Sequence, residues 1–205
     1  MFTGIVQALV KVKEVEDSPG LKHFVLEMEG DLVDDIQIGA SVAINGACHT
    51  VVSIDGAYVA FDSMEETLKK TNIGSLMQGD VVNVERSAKM GDEIGGHVMS
   101  GHVFSQAEIT GVKETENNHV VSFQVDPDTM KYILQKGFIG LDGCSLTVVD
   151  PDKEKGTFDV HLIPETLRVT TFGKKGKGDF VNLELDSRTQ TIVDTVEEVL
   201  KSQSK

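Results

Sequence analysis

The sequence predicts an all-β protein: two similar six-stranded antiparallel Greek-key β-barrels with a C-terminal amphipathic α-helix. Three observations lead there. One pattern is written twice along the 205 residues. Each copy divides into short β-branched runs separated by turn residues, the signature of a small antiparallel barrel. A single helical stripe follows the second copy and has no match after the first.

The duplication is anchored by Asn45-Gly46-Ala47-Cys48-His49-Thr50-Val51-Val52 and Asp142-Gly143-Cys144-Ser145-Leu146-Thr147-Val148-Val149, offset by 97 residues. Asn-Gly and Asp-Gly favour tight hairpin turns, because both central residues tolerate positive φ. Thr3-Gly4-Ile5-Val6 matches Ser100-Gly101-His102-Val103 at the same offset. Met64-Glu65-Glu66-Thr67-Leu68 matches Ile163-Pro164-Glu165-Thr166-Leu167 at an offset of 99, as Gly79 to Glu85 matches Gly178 to Glu184. The drift fits a change in loop length, and the period is far beyond the ~20–50 residues of a solenoid repeat. The expected organisation is an N-terminal barrel over 1–87, a connector over 88–96, a C-terminal barrel over 97–186 and a helix over 187–202.

Taken in order, strands are expected over residues 3–15, from Phe24 to Met28, on both sides of the Asn45-Gly46 turn, from Tyr58 to Phe61 and from Val81 to Glu85. A helical turn is expected from Val33 to Ile38. Ser63 to Asn72 reads as a short helix with Ser63 as cap and Glu66 completing a capping box. The second copy repeats the pattern, with strands near 97–112, 119–125, 138–142, 146–149, 157–162 and 180–185, and a helical turn from Met130 to Gln135. Ser187 is placed to cap the last helix. Its apolar residues Ile192, Val193, Val196, Val199 and Leu200 form one stripe, which needs a surface: its own barrel or another subunit.

The formal net charge of −14 disfavours a nucleic-acid partner. No apolar run approaches the ~18–20 residues of a membrane span, no secretory leader is visible, and two cysteines suit a reducing compartment. A cytoplasmic protein is expected. The cluster Gly173-Lys174-Lys175-Gly176-Lys177-Gly178 reads as a solvated turn, without Walker A spacing.

Cys48 and Ser145 occupy matching places, each next to a turn and two residues before a Thr. A lone Cys is more often a small buried hydrophobe. His49, His97, His102 and His161 could relay protons near neutral pH, although a hydrogen-bonded structural His is the blander reading. No catalytic triad, Rossmann fingerprint or metal-ligand spacing can be assigned. Lys136 and Asp186 sit at element ends. The paired hairpins suggest two similar binding sites.

The assembled motifs resemble the riboflavin synthase family. They are Met1-Phe2-Thr3-Gly4-Ile5-Val6, Asn45-Gly46-x-Cys48, Asp92-Glu93-Ile94-Gly95-Gly96-His97-x-Met99-Ser100-Gly101-His102, Lys136-Gly137-Phe138-Ile139-Gly140, Gly143-x-Ser145-Leu146-Thr147-Val148 and His161-Leu162-Ile163-Pro164-Glu165-Thr166. The resemblance implies a transferase without metal or redox cofactor. Two molecules of 6,7-dimethyl-8-ribityllumazine dismutate by transfer of a four-carbon unit, giving riboflavin and 5-amino-6-ribitylamino-uracil. It also implies a homotrimer held by the C-terminal helices, with the reaction between barrels of different subunits, and it leaves open an association with lumazine synthase.

By the same resemblance, His102 is the acid/base candidate and Thr147 lies near the proton transfers. Cys48 and Ser145 orient the attacked ring or its adduct. Ser41 and Asp186 hydrogen-bond substrates or position these groups, and Lys136 reaches a ligand in the neighbouring subunit. The pockets would be lined by Gly4-Ile5-Val6, Cys48-His49-Thr50, Asp62-Ser63-Met64-Glu65-Glu66-Thr67, Gly101-His102-Val103, Ser145-Leu146-Thr147 and His161-Leu162-Ile163-Pro164-Glu165-Thr166. The chain departs from the family pattern at His49, commonly Leu, and at Ile44, often polar. The alternative reading is a non-catalytic lumazine- or flavin-binding antenna protein of the same fold. Those relatives lose much of the second signature, including the His of Met-Ser-Gly-His, which this chain keeps. A flavin-dependent reductase would need a nicotinamide-binding domain.

Overall fold

A computed structural model of the chain describes residues 1–116 and 118–203. The first sheet contains β1 (Ala8–Ser18), β2 (Leu21–Glu27), β3 (Ser41–Ile44), β4 (Ala47–Asp55), β5 (Tyr58–Met64) and β6 (Val81–Arg86). It closes in the order β1-β2-β5-β4-β3-β6, antiparallel throughout. The second contains β7 (Ser105–Thr115), β8 (Asn118–Gln124), β9 (Phe138–Leu141), β10 (Cys144–Thr147), β11 (Val149–Asp152), β12 (Thr157–Leu162) and β13 (Phe180–Leu185), in the order β10-β9-β13-β7-β8-β12-β11. Its seventh strand arises because the counterpart of β4 is divided at Val148. The division falls where β4 itself carries a register shift, between Val51 and Ser53. Asp150 has φ 45°, and Pro151 has no N–H to give to a ladder. The sheet therefore curls until its two edges are consecutive pieces of one strand.

Alternation fills each barrel. Along β2, Phe24 and Leu26 point inward, and Val59 and Phe61 do so along β5. Phe24 faces Phe61 across the strands with ring centroids 5.7 Å apart, and Phe123 faces Phe158 at 5.4 Å. The same aromatic cross-strand pair thus sits at the heart of each core.

The expected first strand of each copy is shorter than its apolar pattern. β1 begins at Ala8 and β7 at Ser105, and the residues before them form arms that cross between the barrels. Val6 is buried in the second barrel's core, and Val103 packs on the first. The Gly4 carbonyl accepts from the Ser145 N–H at 2.8 Å, and the Gly101 carbonyl from the Cys48 N–H at 2.9 Å. Phe2 and Met99 pair backbone to backbone where the arms meet. Each arm is held at its base by a carboxylate. Glu85 accepts from Thr3 N at 2.6 Å, Thr3 Oγ1 at 2.8 Å and Gly4 N at 3.1 Å. Glu184 accepts from Ser100 N at 2.7 Å, Ser100 Oγ at 2.8 Å and Gly101 N at 3.1 Å. Burial raises both carboxyl pKa values, against the lowering effect of these bonds.

The two hairpin turns have the expected positive φ, at Asn45 (45°), Gly46 (77°), Asp142 (45°) and Gly143 (83°). They meet each other: a Cβ on Gly46 would stand 2.5 Å from Gly143 N. Asn182 Nδ2 donates to the Asn45 carbonyl and Asn83 Nδ2 to the Asp142 carbonyl, both at 2.8 Å. Lys175, expected in a solvated turn, instead donates to the Phe180 carbonyl and lies 3.4 Å from the buried Asp142 Oδ2.

Local caps also differ from the sequence reading. α1 is Glu65–Lys70, and Ser63 does not cap it but ends inside β5 with its hydroxyl on His49. Ion pairs Glu65–Lys69 and Glu66–Lys70 support that helix instead. α2 is Pro164–Val169, and α3 is Ser187–Gln203. Asp186 rather than Ser187 caps α3, its Oδ1 accepting from Thr189 N at 2.7 Å. The expected turns at Val33 and Met130 are 3-10 helices slightly earlier, Gly30–Leu32 and Pro127–Tyr132. Asp126 caps the latter, accepting from Asp128 N.

Because each barrel is completed by the other copy's arm, a fragment of residues 1–97 has an open slot at Cys48. The matched arms allow a second copy to fill it. This fragment should sediment as a dimer, paired through its Asn45-Gly46 hairpin. A folded monomer at micromolar concentration would count against the exchanged-arm interface.

Candidate active site

Each candidate site begins two residues beyond a hairpin turn, where the outgoing strand leaves the interface between the barrels. Along β4, Ala47 and His49 point into the core, Cys48 is half-buried and Thr50 is exposed. Along β10, Cys144 is buried, Ser145 half-buried and Thr147 exposed. Alternation therefore turns Cys48 and Thr50 to one face of the first barrel, and Ser145 and Thr147 to the matching face of the second.

The crossing arms re-sort the candidate residues. On the first barrel, Cys48 and Thr50 stand beside Gly101-His102-Val103, which belongs to the second copy. Ser41 pairs with Thr50 at the start of β3, and Asp62 to Thr67 continue from β5, the neighbour of β4, into α1. On the second barrel, Ser145 and Thr147 stand beside Gly4-Ile5-Val6 of the first copy, with His161 to Thr166 running from β12 into α2. Lys136, at φ 63°, donates its N–H to the Val148 carbonyl in the turn before β9. His102 is exposed, and its N–H donates to Ser100 Oγ at 3.1 Å. So His102 and Thr147, which the resemblance grouped around proton transfer, are carried by different barrels. The charged side chains of the rims are partly engaged already: Asp62 with His23 at 2.7 Å, and Glu165 with Arg168.

His49 departs most from its expected role. Its backbone belongs to the first site, but its ring is buried against Phe24 and Phe61. Nδ1 lies 2.9 Å from the Ala47 carbonyl and Nε2 3.2 Å from Ser63 Oγ. The neutral tautomer with Nδ1–H satisfies both, donating to Ala47 and accepting from Ser63. Burial holds the pKa down to about 4, with the Ala47 bond opposing it. Leu146 fills the same place in the second copy.

On the second barrel, His97 is buried, its Nδ1 lies 2.6 Å from Ser145 Oγ, and its ring stacks on Phe138 at 5.0 Å. Burial lowers its pKa, opposed by the negative charge of Asp186. His97, Phe138, Asp186 and Arg188 share a cavity of about 260 Å³. The arms, Glu85, Glu184 and the His97–Ser145 contact escaped the sequence reading. The matched positions of Thr3-Gly4 with Ser100-Gly101, and of Glu85 with Glu184, were the available signal. Among the described residues no group of three or more His, Cys, Asp or Glu side chains could hold a metal ion. No helix among the described residues is long and apolar enough to cross a membrane.

Matched polar strand starts on two similar barrels define a duplicated β-barrel protein. The sequence model of the lumazine binding domain matches the chain twice, over residues 3–87 and 100–186. The chain belongs to the riboflavin synthase family. It is 53% identical to the riboflavin synthase of Escherichia coli K12 over 98% of this chain and 93% of that protein. It is 42% identical to that of Chlamydia pneumoniae over 100% of both, and 37% identical to that of Schizosaccharomyces pombe over 91% of this chain and 89% of that one. In fold it resembles LumP complexed with riboflavin, with a TM-score of 0.82, 26% identity, and 91% and 100% of the two chains covered.

The buried His49 gives stability a definite acid dependence. Between pH 6.5 and about 4 the unfolded chain takes up a proton that the folded ring refuses. Stability therefore falls as pH drops through that window and levels off below it. Relative to His49→Leu, the native chain should lose about 3 kcal/mol from this group between pH 7 and pH 4. Urea midpoints of both proteins across that range test it. Parallel curves would place the imidazole in water rather than in the core.

Proposed function

We propose that this chain catalyses the riboflavin synthase reaction, with each catalytic centre made from the first barrel of one subunit and the second barrel of another in a homotrimer. The observation that carries the reading is the pair of open half-sites. Cys48 and Ser145 leave the hairpin interface in matched geometry, each covered on one flank by an exchanged arm. Two half-sites suit a reaction whose two substrates are identical.

The chemistry needs no resident oxidant. The C7 methyl of one lumazine loses a proton to a base, and its anion is delocalised over the ring. That carbon attacks a ring carbon of the second lumazine, the donor. The acceptor's other methyl, after losing a proton in turn, closes a second C–C bond to the neighbouring donor ring carbon. The donor's two C–N bonds break as the protons released end on its nitrogens. Holding the two heterocycles face to face contributes up to about 7–11 kcal/mol of the barrier by removing the entropy of encounter. In this reading His102 moves the proton. Cys48, Ser145 and Thr147 orient the rings and stabilise the adduct, Ser41 and Asp186 position them, and Lys136 reaches across the subunit boundary. The pocket walls are the segments around Gly4, Thr50, Asp62 to Thr67, Gly101, Leu146 and His161 to Thr166.

Support for the trimer comes from α3. The helix lies on its own domain through Lys131–Glu197 at 2.8 Å and a Tyr132 hydroxyl bond to Asp194. That is its polar side. Ile192, Val196, Val199 and Leu200 remain 64, 52, 48 and 58% exposed. Covering such a stripe yields roughly 1.5–3 kcal/mol per side chain before entropy is subtracted. In this reading two more copies of the helix cover the stripe, since a net negative chain disfavours a phosphate-bearing partner. Association with lumazine synthase and a cytoplasmic location remain part of the same proposal.

Incubation with the dimethyl-ribityl-lumazine alone, without cofactor, should yield riboflavin and the uracil in equal amounts. Ligand binding by a folded trimer without product would favour the antenna reading instead. In His102→Gln, turnover should fall by about 10²-fold or more, while lumazine affinity changes little. Wild-type turnover in that variant would remove His102 from proton transfer. A chain ended at Asp186 should keep folded barrels but lose the trimer and, with it, activity. Sedimentation and turnover of the shortened protein decide this, since a fully active trimer would mean α3 is dispensable.

A further inference from the structure

We propose that His97 is a positioning residue that fixes the Ser145 hydroxyl as a hydrogen-bond donor toward the ligand on the second barrel. The proposal deepens the reading above and rests on it for the identity of the ligand. The geometry begins with the 2.6 Å contact between His97 Nδ1 and Ser145 Oγ. Two neighbours fix the ring. Phe138 stacks on it at an interplanar angle of 15°, and the arm carrying Gly96 is pressed so close to Ser145 that a Cβ there would stand 2.5 Å from Ser145 Cβ and 2.4 Å from the Thr3 carbonyl. The segment that carries the imidazole is therefore held close against Ser145.

The direction of the bond follows from the other nitrogen. His97 Nε2 is buried with no hydrogen-bond partner among the described residues. An orphaned buried N–H is rarer and costlier than an unpartnered acceptor. The ring therefore carries its proton on Nδ1 and donates it to Ser145 Oγ. Burial, which disfavours the doubly protonated ring, agrees with a neutral imidazole. The charged groups around it are Asp186 and Arg188, which line the same cavity. Once Oγ accepts from His97, its own proton points away from the ring. Ser145 then meets a ligand carbonyl or ring nitrogen as a donor, where negative charge gathers on the pteridine. Cys48, the counterpart on the first barrel, has no imidazole partner among the described residues. The two half-sites are thus alike in backbone and unlike in hydrogen-bond character.

The test uses the full-length protein labelled with 15N-histidine, with Ser145→Ala, His97→Leu, His97→Asn and the double variant His97→Leu/Ser145→Ala. In the native protein the ring should show the Nδ1–H tautomer at neutral pH, and Ser145→Ala should shift it toward Nε2–H. His97→Leu should lower kcat by about 10- to 100-fold with trimer and fold intact. On the Ser145→Ala background the same change should cost about twofold or less, because the residues act as one unit. His97→Asn, whose amide can donate from a similar place, should recover most of the loss. An Nε2–H tautomer in the native protein overturns the proposal, and so does an undiminished loss on the Ser145→Ala background. If the native protein makes no riboflavin, the enzyme reading fails. The tautomer, and riboflavin affinity across the same variants, still judge His97: affinity losses in His97→Leu and Ser145→Ala that do not add uphold the pairing, and losses that add reject it.

Discussion

Gly46 and Gly143 touch backbone to backbone, and much of the molecule is arranged by that contact. A Cβ on Gly143 would lie 2.9 Å from Gly46 N, so neither position has room for a side chain. Both also need positive φ, which glycine adopts without strain. Around this point the barrels exchange a symmetric set of buried polar bonds. Asn83 Oδ1 accepts from Thr171 N, and Asn182 Oδ1 accepts from Asn72 N. Within each barrel the set is completed by Asn45 Oδ1 accepting from Asn83 N, and Asp142 Oδ1 from Asn182 N. Such a network is costly if half made, so the barrels dock in one orientation only. Cys48 and Ser145 stand two residues beyond, and their directions follow.

The duplication, the hairpins and the terminal helix were legible because each has a local cause: a repeated string, a dipeptide that tolerates positive φ, a 3.6-residue stripe. The exchange of arms was not. Ile5-Val6 and His102-Val103 carry β-branched or apolar residues that read as strand continuing into β1 or β7, and nothing local says that Val6 is buried in the other core. The same blindness affected Ser63. A Ser three residues before a Glu signals a helix start, but the hydroxyl was claimed by His49 across the barrel. The contact between the two turns was equally hidden, because nothing local in Asn45-Gly46 or Asp142-Gly143 says what the turn packs against. Here the partner is the second copy of the turn.

Duplicated backbones with exchanged arms tie the half-sites together in a way independent domains would not. Glu85 grips the arm that reaches Ser145, and Glu184 grips the arm that reaches Cys48. Each carboxylate sits at the end of the last strand of its own barrel, so loosening either barrel releases the cover of the other's site. Both carboxylates are buried and triply bonded. Replacing one removes an acceptor from two backbone N–H groups at once, a cost carried by the neighbouring barrel's pocket as well as by its own.

The residues that differ between the copies then matter more than those that agree. The matched backbone makes the two faces alike, which by itself would make two identical substrates on them interchangeable. A reaction that takes carbon from one and gives it to the other needs the faces to differ. His49 and Leu146 differ where their side chains pack on the two cores. Cys48 and Ser145 differ at the face, and only Ser145 is backed by an imidazole. Ser41 and Phe138 also occupy matched positions, a hydroxyl in one copy and the ring that holds His97 in the other. The asymmetry therefore sits in a few side chains on an otherwise twofold frame, where a substitution can alter one substrate's hydrogen bonds without disturbing the contact that aligns both.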